Sequence, residues 1–229
     1  MKTVGIIGGM SWESTSTYYK RLNQLINKRL GGLHSAEILL ASLDFAPIEE
    51  MQSKGDWDAA TQALIAKARQ LEKAGAESIV IATNTMHKVA PQVEDAVKLP
   101  LLHIVDAVAV HLKQNNVNQV GLLGTRFTMQ QPFYKERLEQ QNIKVLIPGE
   151  SDGNTVDNII FKELCHGQFT DSARKQYLRI IEDLAAQGAQ GVILGCTEIG
   201  LLVKQEHSAL PLFDTTELHC RAIADWMLD

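Results

Sequence analysis

The residue of this sequence best suited to chemistry is Cys196, which follows an apolar, strand-like run at 191–194 and lies in the sequence Gly-Cys-Thr-Glu at 195–198. A thiol at a strand end and before a helix can be ionised by the helix N-terminus and by nearby donors, which makes it a usable base. A lone cysteine is more often a buried, inert side chain, but the flanking glycine and threonine favour a loop that is open to a ligand. Packing is the simpler explanation for Cys165 and Cys220, because both lie in helix-like segments.

A second group of small polar residues, Thr-Asn-Thr at 83–85, follows another apolar run. Their hydroxyls, amide and backbone N–H groups suit a carboxylate or an ammonium group. Helix capping explains threonine and asparagine at this place equally well. The two roles are compatible, because a capped helix start is itself an anion site.

Two further loops have the composition of ligand-binding turns. Residues 8–11, Gly-Gly-Met-Ser, form neither a Walker phosphate loop nor the full glycine fingerprint of a dinucleotide site. Glycines there more simply allow the backbone to approach a small ligand. Thr125 follows Gly124 at the corresponding point later in the chain, where it could bind a second carboxylate of the ligand or cap a helix. The incomplete glycine pattern argues against a nucleotide-dependent enzyme.

The elements that carry these loops alternate between short apolar runs and longer amphipathic segments. The amphipathic segments at 57–74 and 171–187 have apolar residues at helical spacing. The predicted strands lie at 3–8, 37–43, 77–82, 101–105, 118–123, 143–148, 190–195 and 211–213. Continuous apolar runs separated by helices predict parallel sheets that are covered on both faces, and hence an α/β fold.

The sequence also repeats itself. Three pairs of segments match in the same order, at offsets of 111 to 116 residues: 4–8 with 120–124, 75–83 with 188–196, and 99–102 with 210–213. A period of this length is a whole lobe rather than a solenoid repeat. We therefore predict two similar, open parallel-sheet lobes related by a pseudo-twofold axis, one formed by residues 1–98 plus 210–229 and the other by residues 99–209.

The repeat places Thr83 and Cys196 at equivalent positions, each directly after a corresponding strand. In open α/β sheets, ligands bind to the loops beyond the carboxyl ends of the strands. If the two lobes face each other, these residues lie on opposite walls of a shared cleft, where we expect the active site.

Composition excludes several classes of protein. The 229 residues are 45% hydrophobic and carry a net charge of −5, so a partner made of nucleic acid or an anionic membrane surface is not expected. No apolar run is long enough for a membrane helix, and residues 1–9 lack the features of a signal peptide. The three cysteines form neither a disulfide framework nor a zinc motif. These observations predict a cytoplasmic protein without a metal site.

With the segments 8–11, 83–87 and 195–198 in this order, the chain resembles the aspartate/glutamate racemase family over essentially its whole length. The Asn-Thr and Gly-Cys-Thr-Glu elements are the most specific parts of the resemblance. It implies two α/β lobes with an active site between them, and a homodimer. It also implies an enzyme that uses no pyridoxal phosphate, no metal and no nucleotide.

Three positions depart from the usual pattern of that family. Typical members have a cysteine on both walls, whereas this chain has Thr83 in place of the first, as in a threonine–cysteine subgroup of L-aspartate/glutamate-specific racemases. Many aspartate racemases have an arginine for the distal carboxylate in the segment equivalent to 44–52, which contains none here, and Gln52 is our expected substitute. Cys165 stands where some relatives have a lysine that contacts the substrate, so the nearby Lys162 or Glu163 could act instead.

The resemblance and the residues together predict a cofactor-independent racemase whose partner is a small acidic amino acid, L-aspartate or L-glutamate. Cys196 would remove the α-proton, and Thr83 would lie on the opposite face of the substrate. The predicted substrate-binding residues are Met10, Gln52, Asn84, Thr85, Thr125, Thr197 and Glu198. Histidine serves structure as often as catalysis, so capping or packing is expected for His87, His103 and His219.

Two alternatives stay open from the sequence. One is a related enzyme that acts on another small acid, such as a hydantoin racemase or a maleate isomerase, and the missing arginine keeps this alternative open. The other is a non-catalytic binder of a small carboxylate, which could arise by loss of one of two catalytic cysteines.

Overall fold

The computed structural model describes residues 1–229, which divide into two compact units. Unit 1 comprises Met1–His103 and His219–Asp229, and unit 2 comprises Ile104–Leu218. The divisions fall at 103/104 and 218/219 rather than at the predicted 98/99 and 209/210. No helix combines the length and the apolar character that a membrane crossing requires.

Unit 1 contains a three-stranded sheet and its covering helices. In chain order its elements are β1 (Val4–Gly8), α1 (Trp12–Leu30), β2 (Ile38–Ser42), α2 (Phe45–Lys54), α3 (Trp57–Lys73), β3 (Ser78–Ile81), a 3-10 helix (Thr85–Val89) and α4 (Ala90–Asp95). The strand order is β2-β1-β3, and both strand pairs are parallel.

Unit 2 contains a four-stranded sheet of the order β5-β4-β6-β7, again parallel throughout. Its elements are α5 (Ile104–Gln114), β4 (Gln119–Gly124), α6 (Arg126–Gln130), α7 (Pro132–Glu139), β5 (Lys144–Leu146), α8 (Glu150–Lys162), a 3-10 turn (Leu164–His166), α9 (Asp171–Ala186), β6 (Val192–Gly195), α10 (Ile199–Leu202), a 3-10 turn (Gln205–His207) and β7 (Leu212–Asp214). The last helix, α11 (Thr215–Leu228), begins in unit 2 and belongs to unit 1 from His219 onward.

The helix boundaries follow from local capping. Ser11 begins α1 by accepting the N–H of Ser14 at 3.3 Å, and Asp56 begins α3 by accepting the N–H of Ala59 at 3.1 Å. The helices expected at 57–74 and 171–187 are confirmed, within a residue at each end.

The strands β1 and β3 of unit 1, and β4 and β6 of unit 2, are buried on both faces, which explains their continuous apolar runs. The edge strands β2 and β5 are partly exposed. In β1, Ile7 packs with the core that α2, α3 and α4 cover, whereas its neighbour Ile6 packs with the core that α1 and α11 cover. In β4 of unit 2, Leu123 and Leu122 separate in the same way between two cores. The predicted fold class, α/β with two similar open parallel sheets, is confirmed.

The internal repeat is visible in the strand pairing. Ile79 of β3 forms an isolated parallel bridge to Leu101, and Val192 of β6 pairs with Leu212 of β7. The repeat aligns these two pairs with each other, so Leu101 is the counterpart in unit 1 of the fourth strand in unit 2.

The strand expected at 101–105 is wrong beyond Leu101, because Ile104 begins helix α5. The buried apolar residues from Ile104 onward recur at helical spacing through Leu112. A short apolar run such as 101–105 cannot distinguish a strand from the first turn of a buried helix.

Candidate functional site

The first candidate loop leaves β1 of unit 1 at Gly8. The Gly9 N–H donates to Thr15 Oγ1 at 2.7 Å, and that hydroxyl donates to the Ser11 carbonyl at 2.8 Å. A Cβ at Gly8 would lie 2.5 Å from Thr15 Cγ2, and one at Gly9, where φ is +88°, would lie 2.1 Å from a backbone oxygen. The Thr15 side chain at Gly8 and the Leu43 backbone at Gly9 therefore leave no room for a larger residue at either position. Met10 is buried in the unit 1 core, which leaves little of it accessible to a ligand.

The second loop of unit 1 leaves β3, the strand next to β1, and carries Thr83. Two side chains hold the carbonyls at this exit: Ser14 Oγ donates to Ala82 O at 3.2 Å, and His87 Nδ1 donates to Thr83 O at 2.8 Å. Thr83 itself is half-buried. The loop backbone is therefore fixed from two directions, while the Thr83 side chain stays partly accessible.

Asn84 and Thr85 follow directly and are buried. Asn84 has helical backbone angles and makes no side-chain capping bond to the 3-10 helix that begins at Thr85. The simple capping explanation that the sequence allowed for Asn84 is thus not the one realised in the fold.

Gln52, the expected substitute for an arginine, lies on α2 with only 5% of its surface exposed. Its Nε2 donates to Met86 Sδ at 2.9 Å, which links α2 to the 3-10 helix after Thr83. This contact positions the Gln52 amide next to the Asn-Thr motif and uses one of its donors within unit 1.

In unit 2 the corresponding loops leave β4 and β6 side by side. Gly124 and Gly195 are paired in register at the ends of these strands. A Cβ on Gly124 would lie 3.0 Å from Gly195 O, so the two strands approach more closely than a larger residue would allow. Thr125 and Cys196, the next residues, are thereby brought to adjacent positions at one edge of the sheet.

Thr125 caps helix α6, because its Oγ1 accepts the N–H of Thr128 at 3.4 Å. The alternative of helix capping, raised from the sequence, is therefore realised for Thr125. Its hydroxyl also lies 3.3 Å from Thr128 Oγ1. The side chain is buried to 8% exposure, which leaves little of it for a ligand in this conformation.

The Cys196 thiol is hydrogen-bonded to an acid. Its Sγ donates to Glu198 Oε2 at 3.0 Å, and the Glu198 side chain is buried. Burial raises the pKa of the Cys196 thiol well above its ordinary value, and the charge and hydrogen bond of Glu198 raise that pKa further, against the lowering effect of the Glu198 N–H.

The expectation that a helix N-terminus ionises Cys196 is therefore wrong for this conformation. Helix α10, which follows the motif, has only four residues and so a weak dipole. The nearby carboxylate and the loss of solvation outweigh it. Burial and the Glu198 carboxylate favour the protonated thiol, whose proton already has an acceptor in contact.

The remaining cysteines pack as expected. Cys165 is half-buried and contacts the same unit 2 core as Cys196, and Cys220 is fully buried in the core of unit 1. Glu163, near the position of the relatives' lysine, accepts a hydrogen bond from Thr170 Oγ1 at 2.9 Å.

The predicted site residues thus form two groups, each at the carboxyl ends of neighbouring strands in one unit. The group in unit 1 is Met10, Thr83, Asn84 and Thr85, with Gln52 adjoining the helix after the motif. The group in unit 2 is Thr125, Cys196, Thr197 and Glu198. No group of three or more histidine, cysteine or acidic side chains is arranged to hold a metal ion.

Sequence reasoning missed the residues that fix these loops. Ser14 and Thr15 lie on helix α1 and bond to the backbone where β3 and β1 end. The one available signal was spacing, since Ser11 and Thr15 are one helical turn apart and can be bonded across the first turn of α1.

Fold and site together define a class of protein: two α/β units of the same strand order, each carrying polar side chains at the ends of its central strands. The chain matches the family model of the Asp/Glu/Hydantoin racemases over residues 7–223, and it belongs to that family.

Individual relatives agree with this assignment. The chain is 53% identical to a candidate Asp/Glu racemase from Yersinia pestis, with a TM-score of 0.94, and 35% identical to an aspartate racemase homologue from Pyrococcus horikoshii, with a TM-score of 0.88. Both similarities cover 100% of each chain. It is also 25% identical to a broad-specificity amino-acid racemase from Bacillus subtilis, over 93% of this chain and 92% of the relative.

Proposed function

We propose that this protein is a cofactor-independent amino-acid racemase that acts on L-aspartate, L-glutamate or both. One observation carries the proposal. Thr83 and Cys196 follow equivalent strands of two repeated units, and Cys196 is in contact with an acid that can accept its proton. Membership of the racemase family supports the same reaction class.

In the proposed reaction the two groups of residues bind one substrate from opposite sides. The Cys196 thiol transfers its proton to Glu198, and the sulfur then removes the α-proton of the L-enantiomer. The Cα–H bond breaks as a new S–H bond forms, and the electron pair is delocalised into the substrate carboxylate. Thr83 donates its hydroxyl proton to the other face of the carbanion and recovers a proton from water. Glu198 releases the thiol proton to water, so that both side chains return to their starting states.

The role of Glu198 in this scheme follows from the raised pKa of Cys196. A neutral thiol is a poor base, so the site needs a group that removes the thiol proton when the substrate is bound. The Glu198 carboxylate lies at hydrogen-bond distance from the sulfur. The thiolate is then formed only transiently, which protects it from side reactions between turnovers.

Polar residues of both units would bind the substrate carboxylates. Backbone N–H groups of the 83–85 and 8–11 loops, with Asn84 and Thr85, would stabilise the α-carboxylate as charge develops on it. Gln52, Thr125 and Thr197 are the candidates for the distal carboxylate. Since none of them is charged, the distal carboxylate should be held by hydrogen bonds alone.

Exchange of the α-hydrogen with deuterated water, followed by proton NMR over a panel of L- and D-amino acids, tests the proposal. Exchange of L-aspartate or L-glutamate, with slow appearance of the D-form, is the expected result. Cys196→Ser should lower the exchange by about 10²-fold or more, whereas Cys165→Ser, which changes another thiol of unit 2, should retain it.

The same experiment separates the alternatives. Exchange restricted to five-membered hydantoin rings would assign the protein to that branch of the family instead. Saturable binding of dicarboxylates with no exchange of any substrate would indicate a non-catalytic binder, and the racemase proposal would be wrong.

We also propose that the enzyme is a homodimer, as the family resemblance implies. Sedimentation equilibrium should give twice the 25.3 kDa mass of the chain. A monomer at micromolar concentration that is fully active would contradict this part of the proposal.

A further inference from the structure

Three buried histidines of unit 1 lie next to one another directly behind the Thr83 loop. His87 and His103 have ring centroids 4.4 Å apart, and those of His87 and His219 are 6.0 Å apart. His87 and His219 are at most 1% exposed, and His103 is 8% exposed. A cluster of imidazoles at this depth, on three separate parts of the chain, needs an explanation beyond the packing of one side chain.

The hydrogen bonds fix the tautomer of two of the rings. His87 Nδ1 contacts Thr83 O at 2.8 Å, and a carbonyl oxygen only accepts, so the Nδ1 of His87 carries a proton. His219 Nε2 contacts Leu102 O at 2.7 Å and must likewise be the protonated nitrogen of its ring. Because the other nitrogen of this ring, Nδ1, is then the acceptor, the hydroxyl of Tyr18 donates to His219 Nδ1 at 2.9 Å.

The cluster reaches the backbone of Thr83 through His87, whose ring lies against that of His219. Besides its side-chain bond to Thr83 O, His87 donates its backbone N–H to Asn84 O at 3.1 Å. The Tyr18 to His219 bond anchors the cluster to helix α1, and the bond to Leu102 anchors it to the segment beside β3. A buried ring held on its neighbours in this way can define the direction of the carbonyl that it contacts.

We infer that His87 is a positioning residue for Thr83, and that its Nδ1–H sets the backbone orientation from which the Thr83 hydroxyl reaches the substrate. The inference rests on the proposed racemase function. In that reaction, proton donation by Thr83 would require the His87 Nδ1–H, whereas proton removal by Cys196 would not. His103 and His219 act by holding the His87 ring.

The reaction offers an internal measure of this asymmetry. Exchange of the α-hydrogen of the L-enantiomer needs only Cys196, whereas conversion of L to D also needs Thr83. The ratio of racemisation to exchange therefore isolates the Thr83 step. A general structural defect would lower both rates together and would leave their ratio unchanged.

Two substitutions with the same number of side-chain heavy atoms distinguish the contribution of the His87 Nδ1–H from that of the packing of the ring. His87→Asn keeps an N–H at the place of Nδ1, and His87→Leu fills the same space without a donor. We expect His87→Leu to lower the ratio of racemisation to exchange by about tenfold or more, because small misplacements of a reacting group cost rates of this order. His87→Asn should recover most of the loss. Equal ratios in the two variants would overturn the inference.

A measurement on the unaltered protein keeps the inference testable if His87→Leu fails to fold. In ¹⁵N-histidine NMR spectra, assigned by the signals that His87→Asn removes, Nδ1 of His87 should carry a proton. A ring protonated on Nε2 alone would exclude the bond to Thr83 and would overturn the inference. Absence of exchange in the wild-type protein, with the expected tautomer present, would instead refute the racemase function.

Discussion

The substitution Gly8→Ala tests whether the first loop of unit 1 is held as tightly as its contacts indicate. A new Cβ would lie 2.5 Å from Thr15 Cγ2 and 2.7 Å from Thr15 Oγ1, well inside van der Waals contact. The Thr15 side chain is buried and fixed by its bonds to Gly9 N and Ser11 O. It must therefore move or strain the helix that carries it.

The cost can be worked from these contacts. Losing both hydrogen bonds of the Thr15 hydroxyl costs about 1–3 kcal/mol, at about 0.5–1.5 kcal/mol each. Keeping them and straining the core costs a similar amount, about 1–3 kcal/mol. We expect Gly8→Ala to lower the free energy of unfolding by about 1–3 kcal/mol, which moves the urea midpoint by roughly 1 M for a typical denaturant slope.

Tryptophan fluorescence is a selective probe for this experiment, because Trp12, Trp57 and Trp226 all lie in unit 1. The control Gly153→Ala, followed by circular dichroism, places a methyl group within helix α8 with its nearest neighbour 3.9 Å away. It should leave stability unchanged or raise it by up to about 1 kcal/mol.

A double-mutant cycle with Thr15→Ala identifies the cause. Removing the Thr15 side chain removes the atoms that clash, so Gly8→Ala should cost much less in the Thr15→Ala background than in wild-type protein. The expected coupling is about 1–2 kcal/mol, typical of residues in direct contact. Additive effects, or a wild-type midpoint for Gly8→Ala, would refute the packing argument.

Three further predictions concern the reacting residues. Cys196→Ser should lower exchange of the L-enantiomer by about 10²-fold or more, since general base catalysis contributes at least this factor. In wild-type protein, saturating L-glutamate should protect Cys196 from alkylation by iodoacetamide more than it protects Cys165. Glu198→Gln should move the alkylation of Cys196 to lower pH, because it removes a charge that raises the pKa of the thiol; an unchanged or higher midpoint would contradict that electrostatic argument. Thr83→Cys should allow exchange of the D-enantiomer, because a thiol is a far stronger acid than an aliphatic hydroxyl; equal exchange of both enantiomers by wild-type protein would count against Thr83 as the second wall.

The sequence by itself determined the architecture and the location of the reactive loops. Burial of a parallel sheet on both faces requires long apolar runs, and these runs identified the strands of both units within one or two residues, apart from the segment at 101–105. The repeat then predicted two similar units. Because loops at the carboxyl ends of parallel strands must lie at one edge of a sheet, the positions of Thr83 and Cys196 followed from the strands alone.

Only the tertiary structure decided the chemical state of those loops. The protonation of the Cys196 thiol depends on its burial and on the direction of the Glu198 side chain. The Gly-Cys-Thr-Glu motif gives the residue types but neither of these two properties. The contact of His219 with Tyr18 joins residues 201 apart in sequence. Periodicity reports which face of an element is buried, but a hydrogen bond between buried side chains depends on the rotamers and packing of distant segments, and these exist only in the folded chain.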